Sequence, residues 1–325
     1  MTTAKELRRR IEDCELQHAN FDGLFLYLKR RIDDALEGFA PRIEWVVGPS
    51  RVGKTMLSKA LARCYPESKK DGRRFVPVLH VFIPPNISPA LLPTIVLKAL
   101  GVPLPTKGLT TGAMDDRMFD QLRLAGTVVI LFEEASHLVE IGARVPPRAA
   151  GDWYKTLSDN LNITVVLTGV PRLERLFDSN EQLRLRASTR REFRPYDSRN
   201  PDEQRAFAAC VRTYVDLFKE ADWPIDVPLS SLVPQCYLLS GGLIGTVSRL
   251  MQELASQVAY ERPRALTWDD CLVAASAIEA AGHPDFPAFG KTEVAAVEMT
   301  AAHAYVLETN GMSVQRIGTT RGRQP

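Results

Sequence analysis

At 325 residues, 45% hydrophobic and 25% charged, the chain can build a full core plus a second, smaller domain and has the make-up of a water-soluble globular protein. A net charge of +2 excludes a polycation of the histone kind, so any nucleic-acid contact must come from local clustering of the 41 Lys and Arg. No apolar run approaches the roughly 18 residues that cross a bilayer, and five scattered cysteines without a C-x-x-C pair argue against a disulfide framework or a zinc site. The charged N-terminus has no apolar stretch behind it, so a secretory signal is not expected and the cytoplasm is the expected location.

In chain order, residues 1–40 read as a helical preface, with Leu24, Phe25, Leu28, Ile32 and Leu36 at helical spacing and Gly38 and Pro41 as stop signals. An α/β core is expected over 41–196: strand 43–47, helix 54–64, a basic linker 68–74, strand 76–83, helix 89–100, a Thr/Gly/Pro loop to 112, helix 113–125, strand 127–132, helix 151–161 and strand 163–168. Strands alternating with helices predict a parallel sheet covered on both faces. Residues 197–282 read as a helical lid, opened by Asn200-Pro201-Asp202-Glu203, an N-cap with Pro at the first helical position. Residues 283–325 read as an extension that is partly ordered at best, basic at its tip.

The sharpest signal is Gly48-Pro49-Ser50-Arg51-Val52-Gly53-Lys54-Thr55, a complete G-x-x-x-x-G-K-T phosphate loop between a strand and the helix that continues through Met56. The glycines permit backbone turns that aim successive N–H groups inward, and the helix adds the positive end of its dipole. Lys54 is expected on the β- and γ-phosphates and the Thr55 hydroxyl on Mg²⁺. At the end of the apolar run 127–132, Glu133 takes the metal-side position and Glu134 the position that orients the attacking water. Asp is the expected residue at the metal side, so Glu133 carries an extra methylene there. His137 reads as a packed or hydrogen-bonded histidine, and Trp45 and Trp153 as core or interface fillers.

Taken together, the phosphate-loop stretch Pro41–Thr55, Val76–Pro85, Phe132–Leu138, Ile163–Leu173, Glu181–Arg186 and Ser240–Leu250 resemble, in order and spacing, the TnsC/TniB transposition regulators, a branch of the AAA+ ATPases. The resemblance implies a P-loop core with a C-terminal helical lid, ATP and Mg²⁺ as cofactors, and a homo-oligomer, ring or filament, on double-stranded DNA. It also implies a transposase and a target selector, TniQ-like or CRISPR-associated, as partners. Arg186 falls where the family's trans-acting arginine finger lies, with Arg184 and Arg190 as rivals and a plain solvated Arg face as the other reading. Thr168 is the hydroxyl left at the sensor position, where Gly169-Val170 replaces the family's Gly-Thr. In the lid Thr246 replaces the family's sensor arginine, leaving Arg249 as its stand-in. These departures at Glu133, Val170 and Thr246 predict slow turnover with nucleotide used as an assembly switch.

The resemblance places DNA against Thr106, Lys107 and Thr110, small hydroxyls and a cation suited to phosphate; the same stretch also reads as a solvent loop stiffened by prolines. Two other functions fit the same residues: a signalling switch ATPase acting through protein partners, and an ATPase that loads a helicase.

Overall fold

The computed structural model describes residues 4–14, 16, 19–104, 110–140 and 146–314. The chain divides into two compact units, one of Gln17–Arg194 and one that joins Met1–Leu16 to Pro195–Pro325. The stretch expected as a single helical preface is therefore shared. Helix α1 (Ala4–Glu12) packs on helices of the second unit through Ala4, Leu7 and Ile11, while α2 (Ala19–Leu36) belongs to the first.

In the first unit β1 (Ile43–Val47) leads through the phosphate loop into α3 (Lys54–Arg63). A hairpin of β2 (Ser68–Lys70) and β3 (Arg73–Phe75) follows, then β4 (Val78–Phe82), α4 (Leu92–Ala99), α5 (Thr111–Leu124), β5 (Val129–Glu133), α6 (Pro147–Leu161) and β6 (Thr164–Gly169). Short helices α7 (Glu174–Asp178) and α8 (Glu181–Arg186) precede β7 (Arg191–Glu192). The five-stranded sheet has the order β4-β5-β6-β1-β7 and is parallel throughout. Strands β1, β5 and β6 are buried at every residue, as a parallel sheet covered on both faces requires. The stretch expected as a basic linker is instead the β2–β3 hairpin, because Asp71 and Gly72 both take left-handed backbone (φ 52° and 74°) and make a two-residue turn.

The second unit is helical: α9 (Pro201–Glu220), α10 (Leu229–Ser240), α11 (Ile244–Gln257), α12 (Trp268–Ser276) and α13 (Ala296–Thr309). The Asn200 side chain accepts from the Asp202 and Glu203 N–H groups and caps α9 as its sequence predicts. The segment after Gly282 is more ordered than its prolines and glycines suggest. Phe289 is fully buried, its N–H donates to the Gln235 side chain, and Ala302 and Val306 of α13 are buried as well. A Cβ at Gly282 would overlap the Leu238 carbonyl, so the chain passes directly over α10 there. Among the described residues no helix is long and apolar enough to cross a membrane.

Candidate functional site

The sheet order sets β6 between β1 and β5, so the phosphate loop, the end of β6 and the two acids share the carboxyl rim of one parallel sheet. That rim is where open α/β sheets bind ligands. The loop closes tightly on itself. Gly53 is left-handed (φ 115°) where it hands over to α3, and its carbonyl accepts from the Leu57 N–H. A Cβ at Gly48 would collide with the Phe193 carbonyl and crowd Val52, while the Phe193 ring lies beside Gly53. Arg51 is also left-handed (φ 65°), Pro49 is buried and Ser50 exposed. Lys54 is only 4% exposed, and its Nζ donates to the carbonyls of Gly48 (3.0 Å) and Pro49 (2.8 Å). Burial holds its pKa below the ordinary lysine value, against the pull of Glu134 and Glu133. A buried ammonium folded back on its own loop is a cation ready for an anion.

Both oxygens of Glu133 are engaged. Oε1 accepts from the Thr55 hydroxyl and Oε2 pairs with His80 Nε2 at 2.9 Å. Burial pushes this carboxyl up, but the bonds from His80 and Thr55, with the charges of His80 and Lys59, bring it below the usual carboxylate range. Thr55 and Glu133, the pair expected at Mg²⁺, thus touch directly. Among the described residues no three His, Cys, Asp or Glu side chains are grouped to hold a metal. A cation here would be held by Thr55, Glu133 and the phosphates themselves, as Mg²⁺ sites on nucleotides commonly are. Next to it Glu134 is half-buried and left-handed (φ 56°), a strained conformation for a side chain that makes no hydrogen bond among the described residues. The phosphate loop thus meets one carboxylate that is tied and one that is free.

The family model of the bacterial TniB protein matches residues 35–194, the span that carries every one of these groups. The nucleotide core is similar to that family over just under half of the chain. Its fold is that of the AAA+ ATPases. It is similar to the ORC2 protein of Aeropyrum pernix in ADPNP–ADP complexes (TM-score 0.61, 14% identity, covering 85% of this chain and 73% of that one). It is also similar to Cdc6p of Pyrobaculum aerophilum (TM-score 0.57, 14% identity, 83% and 71%). The ORC1 protein of Aeropyrum pernix, in complex with DNA, superposes with a TM-score of 0.55 at 14% identity, over 83% of this chain and 69% of that one. Among curated proteins, none matches.

Within this core, Thr168 is buried at the end of β6 and its hydroxyl donates to the Phe132 carbonyl (3.4 Å). Of the three arginines, Arg190 is engaged inside its own protomer by Glu174 and by Glu192 at 2.9 Å. Arg186 is exposed and pairs with Asp159 at 3.2 Å, and Arg184 is exposed with no ion pair among the described residues. Met56 is half-buried on α3, and Arg249 is exposed on α11 of the second unit. Thr106 and Lys107 lie outside the described residues; Thr110 caps α5, its hydroxyl accepting from the Ala113 N–H. His137 is hydrogen-bonded, its Nδ1 2.7 Å from the Ile83 carbonyl, and Trp45 stacks on Phe177 in the core.

Sequence reading missed His80 and Phe193. A lone ionisable residue in the apolar β4 run was the available hint for His80, since β4 pairs with the strand that ends in the acids. Phe193 carried none: it meets the loop because β7 pairs with β1 and the Phe193 N–H donates to the Val47 carbonyl.

Proposed function

We propose that the protein is an ATP-dependent regulator of DNA transposition: it binds ATP–Mg²⁺ at the sheet rim, assembles on duplex DNA without reading its sequence, and links a target selector to a transposase. The observation that carries the nucleotide half is the meeting of buried Lys54, the Thr55–Glu133 pair and free, strained Glu134 on one rim. In this reading the loop from Gly48 to Met56 cradles the triphosphate through its N–H groups and Lys54 moves from its loop carbonyls to the β- and γ-phosphates. Thr55 and Glu133 hold Mg²⁺, which supplies charge neutralisation at the phosphates. Glu134 orients the attacking water and takes its proton, and Thr168 senses the γ-phosphate.

Arg186 completes the site from the neighbouring protomer, with Arg184 its rival; Arg190 already has two carboxylates. Arg249 is assigned to the nucleotide from the lid. Nucleotide occupancy then joins copies of the chain, and turnover is slow enough for ATP to serve as an assembly switch. Contacts from Thr106, Lys107 and Thr110 to the phosphate backbone fit binding that positions without specifying. The DNA complex of the ORC1 neighbour, which shares the fold, is in keeping with a duplex partner.

The test is gel shift and mass photometry on duplexes of increasing length with ADP or a non-hydrolysable ATP analogue. Length-dependent, sequence-independent assembly that needs the triphosphate is expected. A monomer that shifts no duplex at low salt would leave a signalling switch ATPase in its place.

A further inference from the structure

The β2–β3 hairpin is built against its own electrostatics. Its register sets Lys70 opposite Arg73 and Lys69 opposite Arg74, and like charges on opposed rungs destabilise a sheet. Two strands of three residues are marginal even without that. The hairpin is fastened at its base. Arg74 holds both carboxylate oxygens of Glu67 at 2.7 Å and bonds the Leu100 carbonyl, while the Phe75 ring lies against Gly126. Glu67 thereby accounts for Arg74. What remains is Lys69, Lys70 and Arg73, all exposed, set against the single carboxylate of Asp71 in the turn. Among the described residues none of these three cations has an ion-pair partner, and Lys70 has only the Phe75 ring, 5.6 Å from its Nζ.

Placement supplies a second, independent observation. Through Leu100 the hairpin is tied to the end of α4, where the stretch holding Thr106 and Lys107 begins, and a Cβ on Gly101 would lie 3.7 Å from Arg74 Nη2. Three cations with no ion-pair partner among the described residues therefore stand beside the end of α4, from which the chain continues toward the residues assigned to DNA.

We infer that the hairpin tip is a second contact with the phosphate backbone of duplex DNA, made by Lys69, Lys70 and Arg73, with Arg74 as the anchor that holds the tip in place. This rests on the DNA-binding reading above. The patch offers no exposed aromatic or aliphatic anchor of the sort a protein interface is built on, whereas bare cations on a stiff turn bind a polyanion by releasing its counterions. In an assembly of many copies the contact recurs once per protomer, so a small local gain becomes a large one. Phosphates lying across the hairpin relieve the repulsion among these cations.

The experiment is fluorescence anisotropy of a labelled mixed-sequence duplex with the full-length protein and a non-hydrolysable ATP analogue, over a salt series. For the triple exchange Lys69→Gln, Lys70→Gln and Arg73→Gln, log affinity against log salt should become shallower by about 0.9 for each phosphate no longer neutralised. The melting temperature should hold or rise, since the exchange removes repulsion, and DNA-free ATP turnover should stay at its wild-type value, since the exchange touches no rim residue. Asp71→Asn keeps a residue that tolerates left-handed backbone and deletes the opposing carboxylate; it should tighten binding severalfold. A wild-type salt slope in the triple variant, or no gain from Asp71→Asn, overturns the inference while leaving DNA binding itself intact. A wild-type protein that binds no duplex removes the reading on which it rests. Unchanged duplex affinity with lost binding of poly-glutamate overturns it in favour of an acidic protein partner.

Discussion

Three carboxylates of the helical unit and the free one at the rim of the nucleotide core are used in opposite ways. In the helical unit Asp197, Asp270 and Glu298 each accept from a backbone N–H and pair with a cation: Arg199, Arg264 and Lys291 respectively. Each fixes a turn or a helix start, and none is left with unused capacity. At the rim of the nucleotide core Glu134 is held in left-handed backbone with no hydrogen bond to its side chain among the described residues, and Lys54 is buried with only loop carbonyls to receive its protons. A satisfied carboxylate stabilises the fold; an unsatisfied, strained one marks a place where stability was given up for chemistry. Substitutions of the satisfied carboxylates in the helical unit should therefore lower stability and spare turnover, and those of Glu134 should do the reverse.

The largest effect is expected at Glu134. Glu134→Gln should lower ATP turnover by about 10²- to 10⁴-fold, the range of a lost general base, with nucleotide affinity retained. Glu134→Gly should abolish turnover equally while holding or raising the melting temperature, because a left-handed non-glycine residue costs about 1–2 kcal/mol. Phosphate release and thermal melting measured together decide it. A Glu134→Gly protein that melts well below wild type would place this residue among the structural carboxylates instead.

Two stability effects come next. In the helical unit the Tyr237 hydroxyl donates to the Tyr196 carbonyl at 2.5 Å and accepts from the Ser198 N–H at 2.9 Å. Tyr237→Phe strands two buried backbone groups, at about 1–3 kcal/mol each, and should melt earlier with turnover per folded molecule unchanged. In the core, Gly48→Ala drives a Cβ into the Phe193 carbonyl. Overpacking of about 1–3 kcal/mol corresponds to a fall of several degrees at about 2–4 °C per kcal/mol, and here nucleotide affinity should be lost as well.

The phosphate loop and the acid pair were legible because their chemistry requires contiguous residues, and the strand–loop–helix context came with them. The cap at Asn200 was legible for the same local reason. What the sequence could not yield depends on register between strands: His80 reaching Glu133 across β4 and β5, and Phe193 closing over Gly48. Charge hid the hairpin, since four cations read as a solvated linker even though Asp71-Gly72 is a strong turn signal. The stretch after Gly282 read as an extension partly ordered at best, and the burial of Phe289 and Val306 was what its prolines and glycines did not show. The apolar stripe Ala4, Leu7 and Ile11 of α1 was readable, but its docking among helices far along the chain was not.

His80 tests whether the tied carboxylate at the rim is as deliberate as the free one. His80→Ala releases Oε2 of Glu133 and should weaken nucleotide binding in Mg²⁺ by about tenfold, the lower end for an outer-shell partner, and leave binding in EDTA unchanged. Equal losses in both conditions would make His80 a packing residue.

The smallest effect is expected at one of the satisfied carboxylates, Asp270. Asp270 receives two bonds at 2.7 Å from Arg264 and another from the Thr267 N–H, closing the capping box of α12. The Arg264 guanidinium, then the Thr267 bonds, hold this carboxyl far below the usual range. A carboxyl depressed on folding contributes stability above its unfolded pKa, about 3.9, and loses that contribution as pH falls toward the folded value. Because Arg264 is 41% exposed, water and salt screen the pair, and the cap is the dependable part, about 1 kcal/mol. Asp270→Asn should therefore melt slightly below wild type at neutral pH, with a gap that narrows in high salt and begins to shrink as pH drops below about 4. Turnover should not move. A gap that stays constant down to pH 3 would show that packing, rather than the ionised cap, is what Asp270 gives to α12.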